Sequence, residues 1–203
     1  MMLFHSHSHF ATILVMILFV LSGQSSTDEA TDRSILLVSF ARGIGLLLIL
    51  LPLSLGNSSD ARRKLGWIRP KLSDLPRMLL LVASTLLIAS LFPLPSSNAE
   101  LDSNGSLNAA LFTLSLILAS ISEEIFFRSW MLSTLMASGV PRVLTVLISA
   151  IAFASIHLWQ GFHGTMVATL VGLVYALFFL YRRNLTVLIV AHAIHNIIAL
   201  LYH

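Results

Sequence analysis

No cysteine occurs anywhere in the 203 residues, which excludes disulfide frameworks, thiol nucleophiles and cysteine-ligated metals. Charge is almost as scarce. Asp, Glu, Lys and Arg together make up 10% of the chain, against about 25% in an ordinary soluble domain. A solvated globular surface is excluded by that number, and a separate soluble domain has no stretch of chain left to occupy. Internal repeats, common in secondary transporters, are absent too. What the chain has instead is apolar surface, at 57% hydrophobic residues and a mean hydropathy of +0.90. It reads as an all-α integral membrane protein, a polytopic bundle of about seven spans. The basic isoelectric point near 9.8 suits an anionic membrane surface and not a nucleic acid, because no aromatic-interleaved basic groove accompanies it.

Seven apolar segments centre on 10–22, 35–55, 78–94, 108–127, 143–157, 165–181 and 185–202. The first lacks a basic residue in front and a small-residue cleavage site, so it is expected to be a retained helix and not a signal peptide. His5, His7 and His9 are expected to be a solvated or interfacial terminus. Arg62, Arg63, Lys64, Arg69, Lys71 and Arg77 crowd the second loop, which places that loop in the cytoplasm. Alternation then puts Arg142, Arg182 and Arg183 inside as well, and "HLWQGFHG" outside. Arg42 falls a turn or two inside the second span, where a snorkelling side chain is expected. Residues 1–60 are expected to form N-terminal transmembrane helices, and 61–203 the core.

Seven of the nine acidic residues (Asp28, Glu29, Asp32, Asp60, Asp74, Glu100 and Asp102) lie in loops. The other two, Glu123 and Glu124, lie deep in a span, where an ionisable side chain is costly and is by default a functional candidate. Glu124 and Arg128 are four apart, on one helical face in the orientation that favours an ion pair. Glu123 points about 100° away and has no local partner. It therefore reads either as a carboxyl that reaches water or as a general base facing a polar cavity. His157, with Phe153 one turn before it, and His192, with Asn196 one turn after it, supply further polar groups on two later segments. A carboxylate, imidazoles and a neutral amide are the parts needed to activate water against a carbonyl and to hold the resulting oxyanion.

"EEIFFR", "FASIH" and "HAIHN", in this order on successive segments, resemble the three motifs of the CPBP family, the CAAX-protease and bacteriocin-processing (Abi-type) intramembrane proteases. "RRKLGWIRP" resembles the Leu-Gly segment that often precedes the family's core, so the resemblance covers about residues 60–203. Only three spans precede the Glu-Glu segment, fewer than in eight-helix eukaryotic relatives. The resemblance implies that Glu123 and His157 activate the attacking water, that His192 and Asn196 form the oxyanion hole, and that Glu124 and Arg128 are structural. His195 is then expected to face a neighbouring helix.

No cofactor is expected. A zinc set of Glu123, His157 and His192, with His163 as an extra ligand, is the weighed alternative, although His-Glu-x-x-His is missing and Asn196 suits hydrogen bonding better than zinc. The substrate class implied is a membrane-associated peptide or protein terminus: a prenylated tail, a bacteriocin leader or a C-terminal sorting helix. Two other classes compete, a transporter or proton relay and an inactive membrane-peptide binder. Compact loops point to a prokaryotic inner membrane. His157 falls toward the outer end of its span while Glu123 and His192 fall near the middle, so the helices must tilt or the fifth span must start early.

Overall fold

The computed structural model describes Ile44, residues 59–92 and residues 105–202. The segments expected at 10–22 and 35–55, with His5, His7, His9 and Arg42, lie outside the described residues, Ile44 excepted. Every regular element among the described residues is helical. In chain order these are α1 (Ser59–Lys64), a 3-10 turn (Leu72–Asp74), α2 (Leu75–Leu91), α3 (Gly105–Glu123), a π-helical segment (Glu124–Leu132), α4 (Ser133–Ala137), α5 (Arg142–Ser155), a 3-10 turn (Leu158–Gln160), α6 (Gly161–Arg182) and α7 (Leu185–Tyr202).

The stretches Leu72–Leu91, Ala110–Ala137 and Leu158–Arg182 are long and apolar enough to cross a membrane, whereas Arg142–Ser155 and Leu185–Leu201 are shorter. At 1.5 Å per residue, the 14 residues of α5 reach about 21 Å, short of the roughly 30 Å of a hydrocarbon core. Leu79, Leu80, Leu87, Leu91, Ile151 and Leu177 are exposed. So many outward-facing apolar side chains would aggregate in water, and in lipid they meet a solvent of their own polarity.

The Glu-Glu helix runs past 127, through "SWMLSTLMA", because that stretch contains no breaker. It ends only at Gly139, whose φ of +82° is left-handed, followed by Val140 and Pro141. Its middle is the widened π segment, every residue of which is buried. Such widening occurs mostly as short bulges at functional sites; here it spans nine residues. Phe126 stacks on Trp130 with ring centres 5.5 Å apart, Phe127 meets Phe153 edge-on at 5.4 Å, and the Ser149 hydroxyl donates to the Phe127 carbonyl at 3.2 Å.

Close packing of α5 on α6 depends on Gly172. A Cβ there would lie 3.3 Å from both the Ala150 Cα and Phe153 Cδ1, which a rigid helix contact cannot easily absorb. At the basic end of the bundle, Gly66 adopts φ +89°, a conformation cheap only for glycine. The turn it makes presents the Gly66 carbonyl to the Leu185 N–H at 2.8 Å and the Leu65 carbonyl to the Ser129 hydroxyl at 2.7 Å. The Asn184 side chain caps the Val187 N–H at 3.2 Å. Donors that the start of α7 would otherwise leave orphaned are thus satisfied, which lets α7 begin at buried Asn184 and Leu185. The packing of these helices brings His157 and His192 to the same ring, Phe153, at centroid distances of 4.7 and 5.9 Å.

Candidate active site

The site begins with a buried ion pair. Arg128 Nη1 donates to Glu124 Oε1 at 3.0 Å, and both side chains are 0% exposed. Arg128 Nη2 also lies 3.5 Å from the Gly172 carbonyl, and the guanidinium sits over the Phe153 ring at 4.4 Å, a favourable placement for a desolvated cation. Glu124 does more than pair with arginine. The same Oε1 accepts a hydrogen bond from His192 Nδ1 at 2.9 Å, so one carboxylate oxygen joins the π segment to α7.

This contact sets the chemistry of His192. A carboxylate only accepts, so Nδ1 carries the proton, and in the neutral ring Nε2 is left with a lone pair. Glu123 Oε2 lies 3.7 Å from that Nε2, with the Glu123 side chain 12% exposed. Glu123 was expected to lack a partner; across helices it faces His192, a neighbour that helical spacing alone does not reveal.

His157 stands in the turn just after α5, not on the helix itself. Its Nδ1 donates to the Phe153 carbonyl at 2.8 Å, and its ring lies 4.7 Å from the Phe153 ring. The carbonyl can only accept, so the neutral ring keeps its lone pair on Nε2. Asn196 Nδ2 donates to the Ser120 hydroxyl at 3.1 Å, which fixes the amide and leaves its second N–H for another acceptor.

His157, His192 and Asn196 open on one cleft of about 160 Å³, closed by Gln160 and by small or apolar side chains including Ala89, Val167, Ala168 and Ala199. Glu123 is not among the residues on its wall; its carboxylate stands 3.7 Å from Nε2 of His192, which is on it. His195 is on the wall. It was expected to turn to a neighbouring helix, and instead its buried Nδ1 has no hydrogen-bond partner among the described residues. Ser120 is a second residue that sequence reading passed over. It lies one turn before Glu124, on the same face, so the periodicity that paired Glu124 with Arg128 could have found it. Tyr175, with its ring centre 5.3 Å from that of His192, left no comparable signal. Exposed His163 stands in the first turn of α6. Among the described residues no three His, Cys, Asp or Glu side chains gather as a metal-ligand set.

Among the described residues the helices bury Glu124 and His192 beside a cleft and hold a half-buried Glu123 next to His192. The family model described as type II CAAX prenyl endopeptidase Rce1-like matches residues 105–198, the segment that holds all three motifs, and the match supports a CPBP/CAAX-protease family. The family is one of proteases. No curated protein and no solved structure gives a significant match.

Proposed function

We propose that the protein is an intramembrane endopeptidase that cleaves a membrane-associated peptide or protein terminus by attack of an activated water on the peptide bond. Residues 61–203 form its core, 1–60 supply N-terminal transmembrane helices, and the protein resides in a prokaryotic inner membrane. The observation that carries the reading is the meeting of His157, His192 and Asn196 on one cleft with Glu123 held 3.7 Å from His192. The family description, a CAAX prenyl endopeptidase, supports peptide-bond hydrolysis as the reaction.

In this mechanism the lone pair of His157 Nε2 and the Glu123 carboxylate orient a water and take its proton as its oxygen bonds to the scissile carbonyl carbon. The carbonyl oxygen becomes an oxyanion and accepts from the free N–H of Asn196 and from His192. Because Nδ1 of His192 already donates to Glu124, donation from Nε2 requires the doubly protonated ring. Collapse of the tetrahedral intermediate breaks the C–N bond, and the proton held by Glu123 passes to the leaving amine. Glu124 and Arg128 do not touch substrate; they hold the His192 ring.

Asn196→Ala separates this mechanism from a zinc-dependent one. Loss of one oxyanion donor lowers turnover by roughly 10²–10³ with little change in substrate binding, and chelators leave the native protein active. A zinc mechanism reverses both results: Asn196→Ala is nearly silent, and activity lost to a chelator returns with zinc. That second pair of results would remove Glu123 as the base.

A further inference from the structure

A second cavity, far from the motifs, lies where α2, the 64–74 turn and the start of α7 meet. It has a volume of about 250 Å³ and is lined by Arg69, Lys71, Ser73, Asp74, Arg77, Arg182 and Asn184, with Ile68. Four cations face one carboxylate. Asp74 is already committed within the protein: Oδ1 lies 3.2 Å from Arg77 Nη1 and 3.9 Å from Arg182 Nη2, while Oδ2 accepts from the Lys71 N–H at 3.0 Å and stands 3.4 Å from Asn184 Nδ2. It fans the two arginines around the cavity without neutralising the set, since among the described wall residues one acidic side chain, Asp74, faces four basic ones.

Next to the cavity runs a short outward apolar stripe, Leu72, Leu75 and Leu79, all exposed and spaced so as to share one face of α2 and its leading turn. Leu72 is 93% exposed. A cationic pocket beside exposed leucines, at the start of a helix long and apolar enough to cross a membrane, matches a molecule with a phosphate at one end and hydrocarbon at the other.

We infer that this cavity binds the phosphate headgroup of an anionic phospholipid, with the acyl chains lying along the α2 leucines. The chemistry at the pocket is phosphate recognition by arginine and lysine. The leucine stripe is what selects a lipid over free phosphate. Net positive charge in the pocket favours an anionic headgroup over a zwitterionic one. The inference is independent of the protease reading, because none of these residues belongs to the motifs.

The full-length chain, purified in mild detergent, is titrated with phosphatidylglycerol, with phosphatidylcholine of the same acyl chains, and with inorganic phosphate, and bound lipid is read by native mass spectrometry alongside thermal stability. The expected result is saturable retention of phosphatidylglycerol over phosphatidylcholine, weakened about tenfold or more by combined Arg69→Gln and Lys71→Gln and kept by Arg69→Lys with Lys71→Arg. Equal retention of the two lipids, or unchanged binding in the glutamine variant with its helical content intact, overturns the assignment. Protection by inorganic phosphate equal to that by phosphatidylglycerol at the same concentration also overturns it, by making the occupant a free anion.

Discussion

Two carboxylate–arginine pairs in this chain are nearly the same chemically and opposite in setting. Glu124–Arg128, at 3.0 Å, has both partners 0% exposed. Asp74–Arg77, at 3.2 Å, has its arginine 42% and its aspartate 14% exposed. In water-accessible surroundings such a pair contributes at most about 1 kcal/mol, so Asp74 is free to act as a hub for Asn184, Arg182 and a backbone N–H. In the buried pair each charge lost its hydration on folding, and an apolar pair of equal volume would often serve stability as well or better. Stability alone therefore does not explain why Glu124 and Arg128 stand at the centre of the bundle. Their contact with His192, made through the same oxygen that holds Arg128, supplies a chemical reason.

The largest difference between the two regions should appear on removing one cation from each. Arg128→Ala leaves Glu124 buried and uncompensated and is expected to cost about 3–5 kcal/mol, seen as a collapse of folded yield in detergent and of thermal stability. Arg77→Ala, the parallel change at the exposed pair, is expected to cost about 1 kcal/mol or less, with a dependence on salt. Equal losses in the two variants would break the comparison.

A sharper version removes both buried charges together. Glu124→Leu with Arg128→Met keeps approximate volume and leaves no orphaned charge, so folded yield is expected to recover most of what Arg128→Ala loses. Cleavage should not recover, because His192 Nδ1 no longer has its acceptor. Recovery of both yield and cleavage would make the pair a packing device and nothing more. The smallest effect is expected for Asp74→Asn. It keeps the shape of the hub and removes one half-buried carboxylate, with a change of about 1 kcal/mol or less in unfolding free energy and no loss of peptidase activity.

Much of the buried region was legible in the sequence because charge is so scarce there. Two adjacent glutamates in an apolar run, with an arginine four residues on, stand out against a sequence whose other carboxylates fall between the apolar runs. The all-α class followed from composition, and the contact between Glu124 and Arg128 from helical spacing. The π segment was not legible. "EIFFRSWML" has the composition of an ordinary apolar α-helix, and its widening emerges only from packing among Phe126, Phe127, Trp130 and the neighbouring helices. The approach of Glu123 and Glu124 to His192 was hidden as well, since it joins residues 68 and 69 positions apart, and no periodicity along one helix encodes it. The meeting of His157 and His192 on one cleft was also out of reach, because it depends on how α5 and α7 pack around Phe153. The Asp74 hub was missed for the opposite reason. An acidic residue within a basic loop looks like ordinary solvated charge until Asn184 and Arg182 are seen beside it.

The central claim is that the buried region does chemistry and does not merely hold helices together. Its most direct test is to incubate the purified native chain and Glu123→Gln with the host membrane proteome and map the peptide termini that each produces. The variant keeps the side chain's shape and removes the base, so it should remain folded with native thermal stability. Termini generated by the native chain should be absent from the variant or reduced by roughly 10²–10⁴ in rate of appearance. Identical termini at identical rates from a folded Glu123→Gln protein would contradict the account.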